Sequence, residues 1–525
     1  MPNIFKARKF ITLKFLLLFS FGASAGEPLL GPQTLSLDSS CANLLTRTLQ
    51  ATQIEFARNF LRYPPDDIQT GLFAALMAYF PRSTVLFSEP LSGSDTVNKN
   101  SISWFLRREG HREADRTFTS ILLLQKILRG MNPQEFKTPI APLNPTEAEI
   151  LKIRQLVFEF LTGDSQIIFD GNEFEKVKLE RLHALIVRLI FHDQGKFETV
   201  LRELRIRISE GGEDPNLVLS ADHDLATKLM MDRFRMEMGD LNTVFPEPDA
   251  WMKKSQIGAL NPGRVFQFEA PAAHLAPLQN LDHETFLFWL VKEIFDVGGV
   301  KGSEHPSGSF WIKPVINNYF QLLEAYRLGQ IGKSSTEITK YYRSLLQKAG
   351  QELGIVGQTS EDLAIIKLAR LFRLNQFPEI GRNRRIQILK NLFLNLDSKD
   401  RAKLIEELNL NGVDDGWAFT FGYLPQVSEN IQTSLGVWVK TAEESATDVS
   451  IANALDVSIK ILLKIVNLAR PNVSNDLLQK NGEYTLEMPG IADFIKKNGT
   501  AGLLETPLNF KPAGLNSATI TLGTK

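Results

Sequence analysis

Residues 185–196 read Leu-Ile-Val-Arg-Leu-Ile-Phe-His-Asp-Gln-Gly-Lys. An apolar run interrupted by Arg188 alone predicts a helix buried over most of its surface. The run ends on an adjacent His192-Asp193 pair. A histidine and a carboxylate carried to the end of a buried helix lose hydration, and that cost is offset only if something binds them. A divalent metal would satisfy both groups at once, through imidazole nitrogen and carboxylate oxygen. The stretch sets two expectations: a mainly α protein, and a metal centre built on His192 and Asp193.

The chain has 525 residues, of which 43% are hydrophobic and 23% charged. That composition is globular rather than disordered and allows about two to four domains of ordinary size. Lys6, Arg8, Lys9 and Lys14 form a basic start, Phe15–Phe21 a short apolar core, and Ala23-Ser24-Ala25 a small-x-small site. This pattern predicts a signal peptide over residues 1–25, cleaved before Gly26, and hence a secreted or periplasmic protein. The apolar stretch falls well short of the ~20 residues a membrane span needs. No transmembrane helix is therefore expected after cleavage. Removal of the segment leaves 55 basic residues against 60 acidic, a net charge of −5.

No long basic block remains; Arg382–Arg385 reads as a solvated helix start, and no nucleic-acid patch is expected. Cys41 is the only cysteine. An internal disulfide, thiolate zinc sites and iron–sulfur clusters are thereby excluded, and any metal must be held by His, Asp and Glu.

Punctuation along the chain predicts helices joined by polar loops. Cys41–Leu61 is periodic and stops at Pro64-Pro65, Ser92–Ser101 is a polar loop, and Met131–Leu143 is a Pro-rich connector. Asn144-Pro145-Thr146-Glu147 reads as a helix start, with Asn144 as N-cap and Glu147 returning a capping-box bond. That helix should run to about Leu161 and close at Gly163. From Pro314 the pattern becomes amphipathic helices at Val315–Leu328, Ser335–Lys348, Glu361–Phe372, Arg384–Leu396 and Val449–Ala469. Strand-like alternation is rare before the tail beyond Pro471, where Thr, Asn and Gly accumulate. The expected division is 1–25 signal peptide, 26–104 N-terminal helical segment, 105–313 metal-binding helical domain, 314–470 C-terminal helical module and 471–525 irregular tail. The helical module carries no ligand-type cluster and reads as a surface for a protein partner.

The string His192-Asp193-Gln194-Gly195-Lys196 resembles the HD superfamily of metal-dependent phosphohydrolases, whose members carry His-Asp in this setting, often as His-Asp-x-Gly-Lys. The resemblance covers roughly residues 105–300 and implies an HD-like helical domain. It also implies a first His from an earlier helix and a distant Asp from a later one. All seven histidines lie between His111 and His305. His183 stands nine residues before His192 on the same helix, and nine steps of 100° put it on the opposite face. It reads as a core histidine. His111 opens a separate helix, as the family's first motif does, and Asp115 at i+4 would orient its imidazole. An exposed helix-start histidine is the other reading, and the 81-residue gap to His192 exceeds the family's usual interval.

Asp296 is the candidate for the distant carboxylate. It follows the apolar run Phe286–Phe295, precedes Gly298-Gly299, and sits where a helix dipole disfavours a negative charge unless a cation offsets it. Phe-Asp-Val-Gly-Gly is similar to the closing motif of HD domains; the competing reading is an exposed Asp before a Gly C-cap. His223, 30 residues after Asp193, looks like the extra ligand of two-metal members, although Ser220 with acids in the first turn also makes an ordinary helix start. His274 and His283 match no motif, and His305 sits in a Gly/Pro/Ser loop.

The resemblance therefore implies a divalent metal (Mn, Fe, Mg or Zn) on His111, His192, Asp193, His223 and Asp296, because mixed N/O ligands do not select sharply. It implies hydrolysis of a phosphomonoester or phosphodiester, a phosphorylated small molecule or nucleotide, by a metal-bound hydroxide. Lys196, with Arg188 and Arg202 nearby, is a candidate contact for the phosphate; the other reading of each is a solvated charge. The Gly-Tyr-Pro signature of cyclic-dinucleotide phosphodiesterases is absent, as are Gly-x-Ser-x-Gly, His-Glu-x-x-His and P-loop motifs. The alternative is a catalytically inactive helical binding or host-interaction protein on a degenerate HD scaffold.

Overall fold

In a computed structural model, the structure describes residues 54–63, 72–80, 110–130, 144–212, 260–300, 313–331, 334–357, 359–438, 446–473, 482–514 and 516–523. Leu86, Ser103, Ala226, Thr227, Gly302 and Trp311 are described individually. The expected signal peptide, Cys41, His223 and His305 lie outside the described residues. The chain divides into Met1–Thr48, also outside them, and one compact unit, Leu49–Lys525.

That unit is mainly helical with a small mixed sheet. Among the described residues its helices include α1 (Leu72–Tyr79), α2 (Arg112–Leu128), α3 (Glu147–Thr162), α4 (Leu179–Phe191), α5 (Glu198–Glu210), α6 (Pro262–Phe266) and α7 (His283–Gly299). They continue as α8 (Lys313–Arg327), α9 (Ser335–Glu352), α10 (Ser360–Leu371), α11 (Glu379–Leu394) and α12 (Ser398–Asn409). Strand β1 (Trp417–Gly422) precedes α13 (Leu424–Ser434) and α14 (Asp448–Asn472); β2 (Gly482–Glu487), α15 (Pro489–Asn498), β3 (Leu508–Gly514) and β4 (Ser517–Leu522) complete the order. None of the described helices is long and apolar enough to cross a membrane.

Helices α2, α3, α4 and α7 pack on one another to form the core that carries the His-Asp pair. The apolar run of α4 supplies Leu185, Ile186, Val187, Leu189 and Ile190, all fully buried. Helix α3 starts later than its Asn-Pro sequence predicts. Thr146 is the N-cap; its hydroxyl accepts from the Glu149 amide, and Glu149 accepts from the Thr146 amide at 2.7 Å. A threonine-glutamate box satisfies two end amides together, whereas Asn144 lies too far upstream to reach them. The end is as read, with Gly163 left-handed at φ 79°.

The compact unit runs across the boundaries expected from sequence. Gln125 of α2 donates to the carbonyls of Phe60 and Tyr63, tying the N-terminal segment to the core. Helix α9 packs on the turn Ala272–Asn280, and Tyr342 donates to the Ala270 carbonyl at 2.9 Å. The expected irregular tail over 471–525 is instead β2, α15, β3 and β4. These strands join β1 in the order β1-β2-β4-β3, with only β3 antiparallel to its neighbour. Thr and Gly in this segment belong to pleated ladders: Ser517–Leu522 alternates toward the core through Ala518 and Ile520.

Candidate metal centre

Helix α4 ends at Phe191, and His192 occupies its C-cap position. The chain then turns through Gln194–Lys196, closed by the Lys196 amide on the Asp193 carbonyl at 3.0 Å. Thr227 fixes this turn from outside, donating to the His192 carbonyl at 3.2 Å and accepting from the Gly195 amide at 3.3 Å. The Gly-Lys half of the motif is thereby explained: Gly195 brings a backbone amide against Thr227, and Lys196 swings back over Asp193.

Asp296 comes from the last turn of α7. Gly298 and Gly299 do not cap this helix; they lie inside it, where α7 crosses α2. A Cβ on Gly299 would run into Ser120 Oγ and the Arg116 carbonyl, and one on Gly298 would lie 2.6 Å from Trp311 Nε1. Gly302 continues the contact: a Cβ there would lie 2.5 Å from the Asp115 carbonyl and from Thr119 Oγ1. Only residues without a side chain allow this approach, and the approach sets Asp296 beside the His-Asp pair.

His192, Asp193 and Asp296 form a group that could hold a metal ion, with one ligand atom from each lying within 4.8 Å of the others. His192 Nε2 is 2.9 Å from Asp296 Oδ1 and 3.4 Å from Asp193 Oδ2. On the other side of the ring, Nδ1 is 2.9 Å from the Leu189 carbonyl. A carbonyl only accepts, so Nδ1 carries the proton and donates to it. A neutral ring would then present an Nε2 lone pair to two carboxylates, whereas a protonated ring donates to Asp296 across the 2.9 Å contact. A lone pair facing anionic oxygens is unfavourable unless a proton or a metal lies between them. The donor set, one imidazole nitrogen and two carboxylates, suits a divalent cation, and a backbone carbonyl accepting from Nδ1 is the usual way such a ring is oriented.

Cations already surround the carboxylates. Lys196 Nζ lies 2.7 Å from Asp193 and 3.3 Å from Glu113. Lys292, one turn before Asp296 on α7, lies 3.4 Å from Asp296 and 2.8 Å from Glu293. Burial pushes the Asp296 carboxyl up, but His192 and Lys292 outweigh it and hold the group well below the usual carboxylate range. Burial pulls both lysines down; Asp193 and Glu113 more than offset this at Lys196, as Glu293 and Asp296 do at Lys292, so both stay charged above the ordinary lysine value. Tyr319 of α8 is buried near Glu293 and Asp296, and burial together with those carboxylates pushes its phenol far up.

The other candidates separate. His111 is the buried N-cap of α2 and lies outside the three-residue group. Asp115 accepts from the Ser103 amide at 2.6 Å and the Ser103 hydroxyl at 2.9 Å. Ser103 in turn accepts from the His111 amide at 2.8 Å, so Asp115 acts on the backbone of the helix start. His183 is buried beside Phe80, and burial pulls its imidazole down to about 4, leaving it neutral. His274 is held by Glu483 at 2.8 Å and by the Asn261 amide, and His283 stacks on Tyr326. Sequence reasoning missed Glu113, Arg116 and Lys292. Lys292 was open to it, as a lysine at i−4 from Asp296; the first two depend on how α2 meets α4.

A family model described as a family of unknown function (DUF6829) matches residues 87–482. The chain belongs to DUF6829. The matched span includes α2, α4 and α7, and so every residue of the candidate centre. No curated protein and no solved structure matches.

Proposed function

We propose that this protein is a metal-dependent phosphohydrolase of the HD type, acting on a phosphorylated small molecule. One observation carries the reading: the buried Nε2 of His192, with its partner nitrogen committed to a backbone carbonyl, faces Asp193 and Asp296 in a geometry that a cation completes. His192, Asp193 and Asp296 would hold the ion, with Mn²⁺, Fe²⁺, Mg²⁺ or Zn²⁺ compatible with these donors. A divalent ion bound there acidifies coordinated water and polarises a phosphoryl oxygen. The chain's own residues do the rest. Leu189 fixes the ring of His192, Thr227 fixes the turn that carries Asp193, and Lys196 places a positive charge at the edge of the cluster, where a phosphoryl group would approach.

The test is bound metal together with turnover. Asp193→Ala should reduce metal, measured by elemental mass spectrometry after Mn²⁺ reconstitution, to background, and should abolish release of p-nitrophenol from its phosphate ester. His183→Ala, whose ring lies against Phe80 on the opposite side of α4, should keep both. Wild-type protein inert toward phosphate esters after reconstitution ends the enzymatic reading.

A second reading has an observation of its own. Lys196 and Lys292 already stand against Asp193 and Asp296, so the cluster can be a charge-compensated network inside a helical binding protein. Under that reading the reconstituted wild type retains no metal, and Asp193→Ala acts on stability alone.

A further inference from the structure

We propose that Arg116 and Lys196 form a clamp for a dianionic phosphoryl group beside the His192–Asp193–Asp296 cluster, so that the ligand is a phosphomonoester rather than a diester. This rests on reading the cluster as a metal centre, and it adds a residue and a substrate class to that reading.

Arg116 lies on α2, one turn beyond Glu113. A single terminal nitrogen, Nη1, serves both oxygens of Glu113, at 3.1 and 3.2 Å. Glu113 also receives Lys196 at 3.3 Å, and Lys196 reaches Asp193 at 2.7 Å. The result is a continuous row, Arg116–Glu113–Lys196–Asp193, running from α2 to the cluster. Within it, Glu113 holds the two cations side by side.

The remaining edge of the guanidinium is not used in the same way. Nε is buried and has no hydrogen-bond partner among the described residues. Asp193 and Asp296 both act on Arg116 electrostatically: burial pulls the guanidinium down, and Glu113, Asp193 and Asp296 more than offset this. Yet the ion pair that Arg116 makes among the described residues is with Glu113. The guanidinium thus stands in the field of the two expected metal ligands. The planar Nε–Nη2 edge is the fork that matches two oxygens of a phosphoryl group.

Charge selects the class of ligand. The carboxylates at the cluster include Glu113, Asp193, Glu293 and Asp296, and the cations include Arg116, Arg188, Lys196 and Lys292. Each of these carboxylates has Arg116, Lys196 or Lys292 against it. A divalent ion then adds two positive charges, which a dianionic monoester or orthophosphate neutralises and a monoanionic diester does not. Uncompensated charge in a site this enclosed is costly.

The experiment uses the mature full-length chain with Mn²⁺, and orthophosphate as the probe in calorimetric titration. Arg116→Gln should keep its Mn²⁺ and weaken orthophosphate binding by about tenfold or more, the scale of a lost charge-assisted bond. Arg116→Lys, which keeps the charge without the fork, should fall between, and it serves as the gentler variant if Arg116→Gln unfolds. Methyl phosphate should displace orthophosphate at about a tenth of the concentration that dimethyl phosphate needs. Wild-type affinity in both Arg116 variants would overturn the clamp, and equal displacement by the two esters would overturn the monoester assignment. Arg116-dependent orthophosphate binding in a wild type that retains no Mn²⁺ would overturn the metal centre, and with it the monoester assignment, and would leave only the Arg116 contact with phosphate.

Discussion

Replacing Glu269 by Gln should stabilise the protein at slightly alkaline pH and leave it unchanged in acid. Glu269 follows α6, its backbone carbonyl accepts from the Phe421 amide of β1 at 2.9 Å, and the residue is buried. Burial pushes the carboxyl up to about 7; Arg264 and Arg373 pull against this, and Glu487 adds to it. The unfolded chain ionises this group near the ordinary value of 4.5. Between 4.5 and about 7 the unfolded state has released a proton that the folded state retains, so stability falls as pH rises through that window. Above about 7 the loss is complete, and the separation of the two values corresponds to about 3 kcal/mol. Gln keeps the shape and carries no charge to desolvate. In urea titrations followed by tryptophan fluorescence, the variant should exceed wild type by about 2–3 kcal/mol at pH 8 and match it near pH 4.5. If both proteins lose stability equally across the window, or if the variant is weaker at pH 8, burial of this carboxyl does not carry the cost assigned to it.

Lys367 of α10 is buried over the ring of Tyr342 at 5.1 Å, and burial pulls its ammonium down to about 8. The folded state therefore binds fewer protons than the unfolded one between about 8 and 10.5, and stability rises with pH there. Lys367→Met should flatten that rise and gain about 2–3 kcal/mol at pH 7, read from urea midpoints. Gly299→Ala places a methyl against Ser120 Oγ and the Arg116 carbonyl. It should cost about 1–3 kcal/mol and weaken Mn²⁺ binding by shifting Asp296; a variant as stable and as metal-competent as wild type would show that the close crossing is dispensable. Intact-mass analysis of exported protein should find Gly26 at the N-terminus, and a mass that retains residues 1–25 would contradict the reading of that segment.

The parts of this fold that were legible in the sequence are those whose signal is local. The apolar run of α4 announces itself because a helix buried on most faces needs no periodicity to be recognised, and the five helices expected beyond Pro314 were found within a few residues of their ends. Strand β1 gave no such signal. Trp417–Gly422 is six residues long and buried throughout, so it lacks the alternation of a half-exposed strand, and its partners lie some sixty residues further on. The tail looked irregular for the same reason: β2 and β4 are ordered by pairing with distant strands, not by their own composition.

The candidate centre divides along the same line. His192 and Asp193 are adjacent in sequence, and Asp296 was within reach because it ends an apolar helix; the structure brings these three together. Their surroundings arise only when helices meet. Gly298-Gly299 reads as a helix stop in sequence, yet its physical role is to let α7 approach α2 closely enough that a Cβ would collide. That same contact carries the start of α2, with Glu113 and Arg116, to the edge of the cluster, where Lys196 joins them. The glycines thus act on both sides of the site at once: they set Asp296 against His192 and they bring the cations within reach of whatever the cluster binds. A change at the crossing should therefore disturb metal and anion binding together, whereas a change at Arg116 should disturb anion binding alone, and this difference separates the scaffold of the site from its chemistry.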